Sequence, residues 1–212
     1  MQQAEQLPRI FQANFARLFT RVIAPVLGGL TVHPELQTGL ASTMDEYLDR
    51  CAQQVDNYTA NEANKVYALV LVAMFERQFR LWAGLVLAQD PTINAKRDPF
   101  LKLFDMATTV ATINLTKTSL RQTIEEVFEV GNVVRHGEGR ALQRIQEIAP
   151  HLIDRSARTY IDLVAQDTPD SEWLHLGRHD IERYAGAGVQ YWGLADKQPG
   201  SAMARDFGLP AG

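Results

Sequence analysis

The sequence predicts an all-α protein, an up-and-down helical bundle with additional helices at its ends. Three observations support this prediction: apolar residues recur at helical spacing, few segments alternate with period two, and proline or glycine residues separate the periodic segments. The 212 residues are 46% apolar and 22% charged, which is typical of a globular protein. We expect one helical domain over residues 1–196 and an extended or disordered tail over 197–212.

The first part of the chain contains two predicted helices separated by a turn. The first runs over about 8–26, because Pro8 suits a first-turn position and Pro25 lies near its end. The second follows the turn at His33 and runs over about 35–57. Both carry apolar side chains along one face, so both are expected to pack against the core.

A third helix is predicted over about 61–88. Thr59 and Glu62 have the spacing of a capping box, so we expect the second helix to end before them and the third to begin there. The third segment is apolar nearly all round between Val66 and Phe75, which predicts that it is the central helix.

The second half of the chain is also predicted to be mainly helical. Further helices are expected over about 99–113, 120–136, 141–149 and 178–194. The region 151–171 is ambiguous, because its segment 159–164 fits either a short strand or a helical turn.

Composition excludes several classes of protein. The formal net charge of −4 provides no global attraction to nucleic acid, so an RNA contact would need a local basic patch. Cys51 is the only cysteine, which excludes an intramolecular disulfide. The apolar run Ala68–Phe75 is far shorter than a membrane span, and residues 1–7 do not resemble a secretion signal. We therefore expect a cytoplasmic protein without membrane contact.

The most informative segment has the sequence Gly-Asn-Val-Val-Arg-His-Gly-Glu-Gly and covers residues 131–139. Asn132 and His136 lie four residues apart, which places them on one face of a helix, one turn apart. Gly137 and Gly139 are expected to stop that helix and form a tight turn. An imidazole beside an amide is a candidate reactive or RNA-contacting pair.

The predicted helix over 120–136 has two distinct faces. The residues expected to face the core are Leu120, Ile124, Val127, Phe128, Gly131 and Val134. A polar face about 80° wide carries Arg121, Glu125, Glu129, Asn132 and His136. This face is either an organised site or an ordinary solvated surface, on which Arg121 pairs with Glu125 and His136 interacts with the helix dipole.

The run Asn132-Val133-Val134-Arg135-His136, late on a helix of an all-α protein, resembles the end of the motif of the HEPN superfamily. That motif consists of an Arg, a polar residue such as Asn, about three variable residues and a His. Residues 132–139 also resemble the pattern Asn-x-x-(Lys/Arg)-His-Gly-(Asp/Glu)-Gly of bacterial proteins of this kind. Glu76 resembles the acidic residue that these proteins often carry on the helix packed against the motif helix.

The resemblance implies a helical bundle that forms a homodimer through the motif helix. Many HEPN proteins are metal-independent endoribonucleases of toxin–antitoxin, phage-defence or RNA-processing systems, so RNA and an antitoxin are implied partners and no cofactor or metal is expected. Carried over to this chain, the resemblance makes His136 the acid/base and Asn132 the residue that orients it or the phosphate. Glu76 becomes a supporting polar group.

One position departs from the HEPN pattern. Gly131 stands where the family usually has its catalytic Arg. Arg135, Arg140 or the Arg121 of a second copy could supply the cation, with Glu129 beside them on the polar face. Otherwise the chain keeps the fold without the nuclease and acts as a catalytically silent interaction or ligand-sensing module.

The remaining histidines give weaker signals. His33 and His151 each adjoin a proline and are expected in turns or loops. His175 and His179 have a spacing that could ligate zinc from one helix face, but Gly177 lies between them and no cysteine is near. No zinc site is therefore expected there.

Overall fold

The computed structural model describes residues 3–36, 40–115, 119–155, 169–203 and 207–209. These residues form α-helices joined by turns, with no β-strand among them. The helices are α1 (Gln3–Leu18), α2 (Ala24–Gly28), α3 (Met44–Val86), α4 (Phe100–Val110), α5 (Leu120–His136), α6 (Arg140–Ile148) and α7 (Arg178–Ala195). The predicted all-α class is confirmed. None of the helices in these ranges combines the length and the apolar character that a membrane span requires.

The first predicted helix is longer and less regular than its sequence suggests. It begins at Gln3, so Pro8 lies inside α1 rather than in its first turn. A π-helical segment, Phe19–Ile23, joins α1 to α2, and the Ala24 N–H donates to the Phe19 carbonyl five residues earlier. Pro25 has no N–H and its ring opposes the carbonyl one turn back, which explains why the helix widens there instead of ending.

The predicted break at Thr59 is wrong, because α3 is one continuous helix of 43 residues. The helix begins earlier, at the N-cap Thr43, whose hydroxyl accepts from the Glu46 N–H at 3.1 Å. A Glu46 carboxylate oxygen accepts in turn from the N–H of Ser42, the residue before the cap, at 2.7 Å. Both threonines precede a glutamate at the same spacing, but only Thr43 follows a loop. The pattern alone does not distinguish a helix start from a helix interior.

The C-terminal half of α3 is the centre of the fold, packed against α1, α4, α5 and α7. Its buried aromatic side chains meet those of α7. The ring centroids of Phe75 and Tyr191 lie 5.4 Å apart, and those of Trp82 and Trp192 lie 5.8 Å apart. The buried Tyr191 hydroxyl is 3.1 Å from the Thr108 hydroxyl on α4, which satisfies both polar groups inside the core.

Helix α7 approaches α1 closely because glycine faces it. A Cβ at Gly188 would lie 2.5 Å from the Phe15 ring, a distance that real side chains do not tolerate. The described part of the tail returns to α1 as well. The Gln12 amide donates to the Ala202 carbonyl at 2.7 Å, and Leu209 is buried in the core.

The later helices follow their predictions closely. Helix α5 has the predicted bounds, and α4, α6 and α7 begin or end within a few residues of theirs. Short 3-10 helices occupy Pro150–Leu152 and Asp170–Trp173, and an isolated antiparallel bridge joins Ile153 to Leu174. The alternative strand or helical turn at 159–164 lies outside the described residues.

Candidate functional site

Helix α5 presents most of its predicted apolar face to the core. Leu120, Ile124 and Gly131 are buried, and Val127, Phe128 and Val134 are half-buried. The helix packs mainly against α3, α6 and α7. Glu126 differs from expectation, because it is a buried carboxylate on the core side of the helix.

Gly131 lies at the contact between α5 and α3. A Cβ at this position would be 3.3 Å from both methyl groups of Val72. The residue therefore faces a packed helix rather than the polar face that carries His136. Within this chain, a guanidinium attached at position 131 would point into the α3 interface, so the HEPN-type cation has no space there.

Asn132 and Arg135 are bonded to one another. The Arg135 guanidinium donates to the Asn132 side-chain oxygen at 2.8 Å and to the Gly131 carbonyl at 3.1 Å. The Asn132 amide donates to a Glu129 carboxylate oxygen at 3.3 Å. Asn132 thus orients Arg135 rather than His136, and both acceptors of Arg135 are neutral. The positive charge of Arg135 is not neutralised by these bonds.

His136 is the last residue of α5 and is exposed. Its ring makes no hydrogen bond within the described part of the chain. Gly137 with φ +68° and Gly139 with φ +134° then turn the chain into α6, backbone angles that favour glycine. Arg140, the first residue of α6, is also exposed and has no ion-pair partner among the described residues. We refer to Arg135, His136 and Arg140 as the basic turn.

The first turns of α5 form ion pairs with the neighbouring helices α4 and α6. The Arg121 guanidinium bonds Asp105 of α4 at 2.9 Å and Glu125 at 2.8 Å, and Arg144 of α6 bonds Glu125 at 2.6 Å. Burial alone would lower the pKa of Arg121, but the two carboxylates raise it above its ordinary value. Arg121 is held by its own chain at about 22 Å along the helix from His136.

Glu76 lies away from the basic turn. Helices α3 and α5 run antiparallel, with Val72 at the level of Gly131 and Lys65 at the level of Gly137. Glu76 is therefore displaced along α3 away from His136. Its carboxylate accepts from Arg80 at 2.8 Å, and Arg80 also bonds the carbonyl groups of the α3–α4 connection. The structure does not bring Glu76 and His136 together.

A polar cavity of about 150 Å³ adjoins the basic turn. It is lined by Tyr58, Glu62, Lys65, Val133, Val134, Gly137, Ser171, Glu172 and Leu174. Lys65 is only 6% exposed, and its ammonium donates to Glu62 at 2.7 Å. Sequence reasoning missed this cavity. The available signal was a lysine at the start of the most apolar stretch of α3, where a charged side chain is seldom buried.

Buried amides hold the far wall of the polar cavity in place. Asn61 of α3 donates to the Leu174 carbonyl at 3.1 Å and accepts from the Leu176 N–H at 2.9 Å. Asn64 donates to the Leu176 carbonyl at 2.8 Å. These bonds fix an extended segment against α3 that would otherwise leave buried backbone groups unsatisfied. The cavity is consequently a built feature of the fold.

A second group of charges, the carboxylate cluster, is buried between α5 and α7. It consists of Glu126, Asp180, Arg183 and Tyr184. Arg183 donates to both oxygens of Glu126, at 2.5 and 3.2 Å, and to Asp180 at 3.2 Å. The Tyr184 hydroxyl donates to Glu126 at 2.7 Å. The Gly177 N–H donates to Asp180 at 2.9 Å. Burial raises the pKa of the Tyr184 hydroxyl well above its ordinary value, so it remains a donor.

The carboxylate cluster also contains the one set of described residues whose geometry could hold a metal ion. Ligand atoms of Glu126, Asp180 and the exposed His151 lie within 4.8 Å of one another. However, the Arg183 guanidinium already occupies the space between the two carboxylates and supplies the positive charge. The arrangement, one guanidinium shared by two carboxylates, fits an ion-pair network better than a metal centre.

Comparisons of the chain with protein-family models, with curated proteins and with solved structures find no match. The likeness of residues 132–139 to the HEPN motif is thus carried by those residues alone.

Proposed function

We propose that the chain is a HEPN-like protein that binds RNA through the basic turn, with His136 as the acid/base group if the RNA is cleaved. One observation carries the proposal. Arg135, His136 and Arg140 project at the end of α5 without a carboxylate partner among the described residues, whereas Arg121, Arg144 and Arg183 are held by carboxylates.

The basic turn has the features that a phosphate backbone requires. Arg135 is pre-oriented by Asn132, so little side-chain freedom is lost when it binds. The N-cap of α6 is Gly139, which has no side chain to satisfy the first N–H groups of that helix. Two guanidinium groups, an imidazole and the first N–H groups of α6 outweigh Glu138, whose carboxylate accepts from the Ser171 N–H at 2.6 Å. They provide the local positive patch that a chain of net charge −4 needs.

Cleavage would follow metal-independent transesterification. One imidazole removes the proton of the ribose 2′-hydroxyl, this oxygen attacks phosphorus, and the 5′-oxygen leaves with a proton from a second acid. The products are a 2′,3′-cyclic phosphate and a 5′-hydroxyl. A single copy offers one imidazole in the basic turn, so the reaction calls for a homodimer that pairs two such turns across the motif helix.

The proposal is tested by binding and cleavage of single-stranded RNA in the presence of a chelator. We expect His136→Ala to abolish cleavage while RNA binding is largely retained. Arg140→Ala should weaken binding several-fold and lower the slope of log K against log salt by about one. His179→Ala and Arg97→Ala are matched controls, because both side chains are exposed and lie elsewhere. A folded wild-type protein that neither binds nor cleaves RNA would refute the proposal.

The dimer has its own measurement. Light scattering coupled to size-exclusion chromatography should give twice the 23.8 kDa chain mass. Toxin–antitoxin or phage-defence action would appear as arrested bacterial growth on expression of the wild type and normal growth with His136→Ala.

A second candidate, a catalytically silent interaction module, is favoured by a separate surface. The first turns of α3 carry exposed Met44, Tyr47, Leu48 and Val55 at heptad-like spacing, which we call the α3 stripe. Met44 is 70% and Leu48 55% exposed. A stripe of this period fits the same helix of a second copy. Cys51 lies within it, so mild oxidation would link two chains if the stripes pair. For this module, Leu48→Ser would abolish the dimer, whereas His136→Ala would leave it unchanged.

A further inference from the structure

The polar cavity has no part in the chemistry proposed for His136, yet Gly137, the next residue, lines it. We infer that this cavity binds a guanine base and reads it through Glu62 and Lys65. The inference deepens the proposed function, since it names the base beside the phosphate that the basic turn would contact. It also makes a claim about free guanine nucleotides that can be tested separately.

Glu62 and Lys65 form a paired acceptor and donor on one wall of the cavity. The Lys65 ammonium has three N–H donors, and Glu62 is its hydrogen-bond partner within the described ranges. A lysine buried to this degree is rare unless its donors are used. The Glu62 side chain is less buried, and its second oxygen accepts no hydrogen bond from the residues that the structure describes. Lys65 can therefore donate, and Glu62 can accept, further hydrogen bonds side by side in the cavity.

The charges around the cavity favour a neutral ligand. The carboxyl end of α5 reaches the cavity at Val133, Val134 and Gly137, and a helix C-terminus carries partial negative charge. Glu62 and Glu172 add two carboxylates, so an anion such as a bare phosphate is disfavoured. The Lys65 ammonium already pairs with Glu62, so a bare cation would have to displace it. A neutral molecule with acceptors and donors along one edge is the class that remains.

Guanine has the edge that matches this pair. Its N1–H and N2–H are adjacent donors that a carboxylate can accept with both oxygens, and its O6 is an acceptor beside them. Glu62 would take the two N–H groups and Lys65 would donate to O6. Adenine, cytosine and uracil lack two adjacent donors next to an acceptor. The pair therefore discriminates among bases, which simple stacking would not do.

The dimensions and position of the cavity agree with one base. A volume of about 150 Å³ corresponds to roughly five water molecules, the scale of a single nucleobase. Val133, Val134 and Leu174 supply apolar contacts for its faces. Because Gly137 borders both the cavity and His136, a nucleotide seated there would place a neighbouring phosphate near the basic turn.

The test uses the full chain with two kinds of probe. Fluorescence anisotropy would compare a labelled oligoadenylate with the same oligomer carrying one central guanosine, and calorimetry would compare GMP with AMP. We expect about tenfold or tighter binding of the guanosine oligomer, and of GMP over AMP. Glu62→Gln should abolish this preference while leaving oligoadenylate binding unchanged, and Lys65→Met should reduce it. Glu182→Gln, at a half-buried carboxylate of α7 that pairs with Arg178, is the matched control.

The outcomes separate this inference from the proposed function. Equal binding of both oligomers, with GMP no better than AMP, overturns the guanine site and leaves RNA binding by the basic turn intact. Selective binding of GMP without RNA binding supports the guanine site, identifies a free nucleotide as its ligand and refutes the proposed function. A preference that survives in Glu62→Gln also overturns the inference. Circular dichroism of both variants confirms that they fold.

Discussion

Helix α5 carries two groups of charges that the fold treats in opposite ways. Near its middle, Glu126 is buried and accepts from both Arg183 and Tyr184, so its carboxylate is neutralised inside the protein. At its end, the charges of the basic turn face solvent without a carboxylate partner in the described part of the chain. The difference separates charges that maintain the structure from charges that remain exposed to solvent.

The largest expected effect on stability comes from removing the arginine of the carboxylate cluster. Arg183→Met would leave Glu126 and Asp180 buried without their cation, which destabilises a protein by about 3–5 kcal/mol. Urea unfolding followed by circular dichroism measures the change. Combining Arg183→Met with Glu126→Gln should lose less stability than the sum of the single variants. A loss below about 1 kcal/mol for Arg183→Met would show that water replaces the guanidinium.

A smaller loss of stability is expected when an arginine is introduced on the side of α5 that packs against α3. Gly131→Arg restores the residue that the HEPN motif calls for, but Val72 occupies the space that its side chain needs. We expect destabilisation of about 1–3 kcal/mol from overpacking and no gain in RNA cleavage. Gly131→Ala is the graded control, with a smaller loss. Increased cleavage by a stable Gly131→Arg protein would contradict the packing argument.

The smallest effect concerns two histidines that differ in burial. Burial lowers the pKa of His175 below its ordinary value of 6.5, although nearby Asp154 and Asp180 oppose this and Lys65 adds to it. Between the lowered pKa and 6.5 the unfolded chain binds more protons than the folded one, so stability falls as pH falls through this range. Thermal unfolding at pH 7.5 and 5.5 should show a smaller decrease for His175→Gln than for wild type. An equal decrease in His175→Gln and in wild type would contradict this prediction, and His136→Ala, which removes an exposed imidazole instead, is the variant for comparison.

The fold was predictable where local signals have one meaning. Gly137 ends α5 at the expected residue because a positive φ after a helix strongly favours glycine. The Thr-x-x-Glu spacing occurs at both Thr43 and Thr59, so local sequence could not show which one begins a helix. The continuity of α3 is decided by the packing of its second half, which depends on residues far along the chain.

The sites were harder to predict, because they depend on partners distant in sequence. The polar face of α5 was visible from spacing, but the ion pairs on it depend on neighbouring helices: Asp105 of α4 engages Arg121, and Arg144 of α6 engages Glu125. Glu126 lies between the two predicted faces, and its burial is explained by Arg183 and Tyr184, which lie 57 and 58 residues later. The polar cavity required Asn61 and Asn64 to hold a segment more than a hundred residues away.

The length of α3 has a consequence for how the protein opens. At 43 residues the helix is about 65 Å long, and its first turns carry the exposed α3 stripe. Asn57 and the His33 backbone exchange two hydrogen bonds at 2.8 Å, which marks where the helix joins the body. Amide hydrogens before Asn57 should exchange with solvent through local fraying, whereas those after Ala60 should wait for global unfolding. The two parts of one uninterrupted helix would thus show two different free energies of opening. Slow exchange in the first turns would mean that another chain covers them.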